Sequence, residues 1–266
     1  MTITLNGYVV DDDDLWLYQW FDVAAFSPAV VRNALKENPE GEDLILEINS
    51  CGGNTFSACE MYSLLKGAKC RTVAQIQSLA ASAASIVMSG CQVVQISPVA
   101  QIMIHLPATN TSGNQEAHKA SIRLLDSTTV SILNGYELKC AGKASRHKLE
   151  QLMQKESWIT AQEALDLGLA DVILWQDDTS SAVLPKDVVN AVGGGIRSLA
   201  AASPGMPSAE DLMSRYRELV SQGAAPAEGH PVELPRDTST PTGMEPENTS
   251  DRWRREARLT IEKNRF

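Results

Sequence analysis

Two short stretches of the chain carry residue types that together could catalyse acyl transfer. The stretch IQSLAASAASIVMSG, residues 76–90, contains three serine hydroxyls, at Ser78, Ser82 and Ser85. His105 ends the apolar run QIMIH. A serine becomes a nucleophile when an imidazole within hydrogen-bond reach takes its proton. The two stretches therefore predict a serine–histidine pair if the fold brings them together.

The glycine pair Gly52-Gly53 follows the apolar run DLILEINS and could supply an oxyanion hole for that reaction. Glycine has no Cβ, so the backbone N–H groups beside it can face a cavity. N–H groups aimed at the developing oxyanion stabilise the tetrahedral intermediate of acyl transfer. Each feature alone has an ordinary structural explanation: small residues pack helices, glycine pairs make turns, and a lone histidine at a strand end is usually a core residue. Their combination favours a catalytic site.

Alternating strands and helices must position these residues. The runs TITLNGYVV, DLILEINS, CRTVAQIQ, QVVQIS and AQIMIHL read as strands, and SPAVVRNALKEN and NTFSACEMYSLLKGA read as helices. We interpret the serine-containing stretch, residues 76–90, as a further helix closed by Gly90. This β-α-β-α order predicts an α/β fold with a mostly parallel sheet covered by helices.

Helical elements follow from Gly113 onward. Residues 114–141 predict a helix of about eight turns, and SRHKLEQLMQKES a second helix capped by Ser145. In WITAQEALDLGLADVIL, a turn, a helix and a closing strand are expected, with Thr160 and Glu163 at the spacing of a capping box.

The three motifs together resemble those of the Clp protease proteolytic subunit (ClpP) family. Its elements INSPGG, AAS and MIHxP appear here as INSCGG, Ala80-Ala81-Ser82 and Met103 to Pro107, at fitting spacing. The resemblance covers about residues 3–176, and SLAASAAS and ESWITAQEALDLGLAD look most similar to phage and prophage members. It implies the ClpP/crotonase-like α/β fold, with residues 114–152 as a protruding helical handle.

The resemblance also implies roles for five residues. Ser82 would be the nucleophile and His105 its general base. The N–H groups of Gly53 and Ala83 would form the oxyanion hole. Glu156, in KESW, would be the third member of the triad, where the best-known members carry aspartate.

Three features that contain acidic residues or cysteine need separate interpretation. Asp171, in GLAD, matches the acid that leads into the family's last strand, and we interpret it as structural. Cys51 stands where the family has proline, so the glycine turn lacks a fixed φ. The consecutive acids Asp11 to Asp14 read as a solvated turn. No cofactor or metal is expected, because no Cys/His spacing fits zinc.

The function implied by the resemblance is that of a serine endopeptidase in homo-oligomeric rings. Its substrates would be unfolded chains, or capsid and scaffold proteins during phage head maturation. One alternative is a proteolytic subunit that works with a Clp-type ATPase in protein quality control. Others are a Ser–Lys peptidase of the signal-peptide-peptidase type, a crotonase-type acyl-CoA enzyme and a catalytically inactive ring scaffold.

Composition restricts the partners and the location. A net charge of -10 and a pI near 4.9 argue against nucleic acid as the main partner. No uncharged apolar run reaches the roughly 18 residues of a membrane span, and MTITLNGYVV does not read as a signal peptide. The odd number of cysteines, 5, fits reduced thiols and a cytoplasmic setting. For a phage member, the resemblance implies the host cytoplasm or a phage prohead.

The C-terminal third differs in composition, so we divide the chain at residue 178. Residues 1–178 would form the peptidase domain, and residues 179–250, with frequent Pro, Gly, Ser and Thr, a flexible and largely disordered linker. The run AEDLMSRYRELVSQ, near residues 209–222, predicts a short amphipathic helix within it. Residues 251–266 predict a basic C-terminal helix.

Overall fold

A computed structural model of the protein describes residues 1–176, 207–222, 224 and 227. Eight strands occur in this part of the chain: β1 (Thr2–Val9), β2 (Ala25–Phe26), β3 (Leu44–Gly53), β4 (Thr72–Ala81), β5 (Val93–Ile96), β6 (Gln101–Ile104), β7 (Ser157–Thr160) and β8 (Val172–Ile173). The same residues contain eight helices: α1 (Leu15–Trp20), α2 (Pro28–Glu37), α3 (Thr55–Lys66), α4 (Ala83–Ser89), α5 (Gln115–Cys140), α6 (Arg146–Gln154), α7 (Ala161–Leu167) and α8 (Ala209–Ser221).

The strands form one mixed sheet that is parallel except at one edge. Its main order is β2-β1-β3-β4-β5-β8, and every neighbouring pair in that order is parallel. The long strand β4 pairs with β5 along its first half and with β6 along its last residues. Only β7 runs antiparallel, against β6. The predicted α/β class with a mostly parallel sheet is confirmed.

Burial explains why the central strands are so apolar. Leu44, Leu46 and Ile48 share one face of β3 and are fully buried, as is Ile76 on β4. Ile45 and Glu47, on the other face of β3, are half-buried. The core continues into α4 and into the C-terminal part of α5, where Tyr136 is buried. The stretch that contains Ser82 therefore continues directly from a buried central strand.

The prediction that residues 76–90 form one helix is wrong. Residues 76–81 continue β4, with Ala80 opposite Ser50 of β3 and Leu79 opposite Gln101 of β6. Alanine and serine fit a helix locally, but pairing with strands on both sides outweighs that preference. The helix begins only at Ala83, so Ser82 lies in the turn between strand and helix.

The acidic run near the N-terminus is more structured than the expected solvated turn. Helix α1 begins directly after Asp14, and Leu17 and Tyr18 on it are buried. Asp11 accepts a hydrogen bond from Asn54 Nδ2 at 2.9 Å. Asp12 accepts one from the Ala29 N–H at 2.7 Å. These carboxylates therefore hold loops in place.

Contacts divide the chain into two units, and α5 contributes to both. The first comprises Met1–Leu106 and Ile132–Tyr216 and contains the sheet. The second includes Pro107–Ser131, where Ser121 Oγ donates to Thr111 Oγ1 at 3.0 Å. In this second unit, three large apolar side chains of α5 are exposed: Ile122, Leu124 and Val130.

The amphipathic helix expected near residues 209–222 is present as α8, and it packs against α1. The ring of Tyr216 makes edge contacts with Trp16 and Trp20, at centroid distances of 5.3 and 4.8 Å. Tyr18 Oη donates to the Pro207 carbonyl at 2.8 Å. The rest of the linker and the basic helix at residues 251–266 lie outside the described residues. Within the described ones, no helix has the length and apolar character needed to cross a membrane.

Candidate active site

Ser82 occupies a sharp turn between β4 and α4. Its backbone has φ 53° and ψ −125°, a region that residues other than glycine rarely adopt and that costs about 1–3 kcal/mol. The Ser82 N–H donates to the Met103 carbonyl at 2.8 Å, and its own carbonyl accepts from the Ser85 N–H at 2.9 Å. Bonds on both sides hold the strained residue in place. Such a turn from strand to helix projects a serine hydroxyl away from the backbone.

His105 reaches this hydroxyl because its strand is the parallel neighbour of β4. Ala81 pairs with Met103, so the carboxyl ends of β4 and β6 meet at one edge of the sheet. His105 Nε2 lies 2.7 Å from Ser82 Oγ. Since Nε2 must accept the serine proton, a neutral His105 acting as a base carries its own proton on Nδ1.

The surroundings of His105 favour this neutral form. Burial lowers the pKa of His105 below its ordinary value, and the negative charge of Glu156 partly opposes that effect. A histidine that is neutral at physiological pH is ready to act as a general base.

Glu156 lies close to His105 in the chain order of the β6–β7 ladder. It directly precedes β7, whose first residue, Ser157, pairs with Ile104, the neighbour of His105. Glu156 has φ 52° and an exposed side chain. Its charge acts on the imidazole, but no hydrogen bond joins it to His105 in the described part of the chain.

The glycine pair at the end of β3 lies against the serine turn. Gly52 has φ 98°, and a Cβ placed on it would come within 2.7 Å of Ser82 Cβ. Gly53 has φ 149°, and a Cβ there would come within 2.2 Å of the Val9 carbonyl oxygen. Both the backbone conformation and the available space therefore require glycine.

Two amides fit the predicted oxyanion hole. The N–H groups on either side of Gly53 are engaged: Gly52 donates to Ser50 Oγ at 3.1 Å and Asn54 to the Val9 carbonyl at 2.8 Å. Ala83 is the first residue of α4, and the first amides of a helix have no intrahelical acceptor. The amides of Gly53 and Ala83 lie on the two segments that contact each other beside Ser82.

A buried serine restrains the glycine turn where the family's proline is replaced by Cys51. Ser50 Oγ donates to the Gly7 carbonyl at 2.6 Å and accepts from the Gly52 N–H. The turn is thus tied to β1. Desolvation of the thiol raises the pKa of Cys51 above its ordinary value, which disfavours the reactive thiolate.

The other two serines of the stretch are placed differently. Ser78 is exposed on β4. Ser85 is fully buried on α4, and its hydroxyl contacts the Ser82 carbonyl and Tyr136 Oη. Sequence reasoning missed this contact: the spacing of Ser82 and Ser85 suggests a local bond at a helix start, but no sequence signal identifies Tyr136.

Asp171 is engaged away from the imidazole. Its Oδ2 accepts from Lys139 Nζ at 2.6 Å and from the Val94 N–H at 2.7 Å. It thereby joins α5 to the β5–β8 edge of the sheet. Across the described residues, the His, Cys, Asp and Glu side chains form no group of three or more that could hold a metal ion.

The geometry suits acyl transfer, and the comparisons with known proteins agree. The Clp protease family model matches residues 29–177. A similar protein is the ATP-dependent Clp protease proteolytic subunit 1 of Chlamydia trachomatis serovar D, 31% identical over 143 residues, which are 52% of this chain and 72% of the relative. Another is the proteolytic subunit 2 of Leifsonia xyli subsp. xyli, 28% identical over 156 residues, or 57% of this chain and 67% of the relative. Because the family match spans more than half of the 266 residues, the chain belongs to the Clp protease family.

Proposed function

We propose that the protein is a serine endopeptidase in which Ser82 and His105 cleave peptide bonds. The observation that carries this proposal is the 2.7 Å contact between Ser82 Oγ and His105 Nε2 at a strained turn. A serine–histidine contact of this kind is the core of nucleophilic acyl transfer. A crotonase-type acyl-CoA enzyme would have no use for it.

The first half-reaction transfers the acyl group to the enzyme. Ser82 Oγ attacks the peptide carbonyl carbon while His105 Nε2 takes the hydroxyl proton. The amides of Gly53 and Ala83 donate to the resulting oxyanion. The intermediate then collapses, the C–N bond breaks, and the leaving amine takes the proton from His105.

The second half-reaction releases the acyl group by hydrolysis. A water gives its proton to His105 Nε2 and attacks the ester carbon of acylated Ser82. Collapse returns the proton to Ser82 Oγ and frees the carboxyl product. In both halves the carboxylate of Glu156 stabilises the transient imidazolium, because its charge already acts on His105 in the free enzyme.

Covalent labelling tests the proposal directly. A fluorophosphonate should label the wild-type protein, and peptide mapping should place the adduct on Ser82. Ser82→Ala should abolish labelling and peptidase activity. No side-chain cap is lost in that variant, since Ser82 makes no cap hydrogen bond to α4, so the melting temperature should be unchanged. Ser78→Ala, four residues away on the exposed side of β4, is the matched control and should behave like wild type.

Two biological settings fit such a peptidase. We favour cleavage of capsid or scaffold proteins during phage head maturation, because the stretches SLAASAAS and ESWITAQEALDLGLAD resemble phage and prophage members. The second candidate is a proteolytic subunit fed by a Clp-type ATPase, which the names of the curated relatives support. In either setting the peptidase would act as a homo-oligomeric ring in the cytoplasm or a prohead.

The two settings differ in what the purified protein can cleave alone. A head maturation protease should cut a purified capsid or scaffold protein without added nucleotide. A Clp proteolytic subunit should degrade a folded, tagged substrate only when a Clp ATPase and ATP are added. Loss of cleavage in Ser82→Ala is required in both experiments, since it excludes a contaminating protease.

A further inference from the structure

Two buried hydroxyl groups connect the turn at Ser82 to helix α5. Ser85 Oγ, on the first turn of α4, lies 2.5 Å from the Ser82 carbonyl oxygen and 2.6 Å from Tyr136 Oη. Ser85 and Tyr136 are 0% and 2% exposed. A continuous hydrogen-bonded chain therefore runs from α5 through α4 to the backbone of Ser82.

The direction of donation follows from the available protons. A serine hydroxyl has one proton, and a carbonyl oxygen can only accept. Ser85 therefore donates to the Ser82 carbonyl, and Tyr136 donates to Ser85. Burial raises the pKa of Tyr136, so the phenol keeps the proton that this arrangement needs.

The Ser82 carbonyl must be held in place to keep the strained backbone of this residue in its conformation. A residue with φ 53° and ψ −125° stays in that conformation only while its surroundings hold it there. The Ser85 N–H supplies one donor to the carbonyl, at 2.9 Å, and the Ser85 hydroxyl supplies a second. The turn cannot relax toward a commoner conformation without losing both bonds.

We propose that Ser85 and Tyr136 are positioning residues whose hydroxyl relay holds Ser82 in the geometry that meets His105. This role rests on the proposed function of Ser82 and extends it, because it gives α5 a direct share in the geometry of the nucleophile. Neither hydroxyl contacts the reacting atoms. Their effect should therefore be on the rate of the chemical step and not on substrate affinity.

Tyr136→Phe removes only the first donor of the relay. We expect kcat for a peptide substrate to fall about 10- to 100-fold, the scale of loss from a displacement of about 1 Å, with KM changed less than about twofold. The rate of fluorophosphonate labelling at Ser82 should fall by a similar factor. Ser85→Ala should show the same split between kcat and KM.

The double variant tests whether the two hydroxyls act in series. Ser85→Ala combined with Tyr136→Phe should lose no more activity than the more damaged single variant, because groups in one network are not additive. Ser85→Ala also leaves the Tyr136 hydroxyl buried without its partner, which is costly. Adding Tyr136→Phe should therefore raise the melting temperature of Ser85→Ala.

Tyr62 offers a matched control. Its hydroxyl is buried without a hydrogen-bond partner among the described residues, and its ring packs against Gly135 of α5. Tyr62→Phe should keep the wild-type kcat. Wild-type kcat in Tyr136→Phe, or equal losses in Tyr136→Phe and Tyr62→Phe, would overturn the relay while leaving Ser82 as the nucleophile. An unlabelled wild-type protein would instead overturn the proposed function.

Discussion

The pH dependence of cleavage should follow the protonation of His105. Only the neutral imidazole can accept the Ser82 proton, so activity is lost as pH falls through the His105 pKa. Burial lowers that pKa below the ordinary 6.5. We therefore expect the acidic limb of a kcat/KM profile to have its midpoint below pH 6.5 and activity to be retained in mildly acidic buffer.

Glu156→Gln should shift this limb further toward low pH. The negative charge of Glu156 favours the imidazolium and raises the His105 pKa, so its removal lowers that pKa. Loss of the charge that stabilises the imidazolium should also lower kcat, by less than the roughly 10⁴-fold loss known for an acid that is hydrogen-bonded to its histidine. Glu150→Gln neutralises a carboxylate on α6 and is the control. A shift of the limb toward higher pH would remove Glu156 from its proposed role.

Asp171→Asn should damage stability more than catalysis. The Asp171 carboxylate pairs with Lys139, a buried cation, and loss of that charge leaves Lys139 poorly compensated. Because the Asp171 side chain is 40% exposed, we expect a loss of roughly 1–3 kcal/mol in unfolding free energy, below the value for a fully buried pair. Urea unfolding and kcat measure the two effects, with the exposed Asp166→Asn as control. A large kcat loss at unchanged stability would assign Asp171 to the triad instead of Glu156.

At the scale of secondary-structure elements, the sequence correctly predicted the helices whose first residues are set by local capping and backbone preferences. Pro28 begins α2, the Ser145 hydroxyl caps α6, and Thr160 and Glu163 form the expected capping box on α7. Apolar runs likewise marked β1 and β3. These predictions were correct because residues that are close in the chain determine where such elements begin.

Elements determined by distant contacts were missed or misplaced. Residues 76–81 look helical by composition, but β3 and β6 pair with them on both sides. Helix α1 was missed because the acidic residues before it predicted a solvated turn. Burial of Leu17 and Tyr18 stabilises this helix. At the site, the motifs pointed to Ser82 and His105. The Ser85–Tyr136 contact spans 51 residues and leaves no pattern in the sequence.

At the scale of the whole molecule, the exposed apolar side chains of α5 predict self-association. Ile122 and Val130, about two turns apart on one side of α5, are 57% and 51% exposed, and apolar surface of this kind commonly marks an interface. We expect a ring-like homo-oligomer in sedimentation velocity at micromolar concentration. Ile122→Glu should shift it toward smaller species. A monomer that still cleaves unfolded protein would contradict this expectation.

The C-terminal segment should be a substrate of the protein itself. Residues 179–250 are rich in Pro, Gly, Ser and Thr, a composition that buries little surface to offset ordering entropy. We expect wild-type protein to mature to a fragment that ends between Thr179 and Ser250, and Ser82→Ala to remain full length. Intact-mass measurement of both proteins decides the matter. If both retain Phe266, or both are shortened alike, the segment is not a self-substrate.

The packing of α8 on α1 changes what such a cut would release. Both helices lie outside residues 29–177, the part matched by the family, and Tyr216 is buried between Trp16 and Trp20. If the chain is cut between residues 179 and 206, the C-terminal fragment should therefore stay bound to the domain through the contact of α8 with α1. The processed protein would run as two polypeptides on a denaturing gel and as one particle in native mass spectrometry. Such a cut would therefore break the chain without releasing its C-terminal fragment.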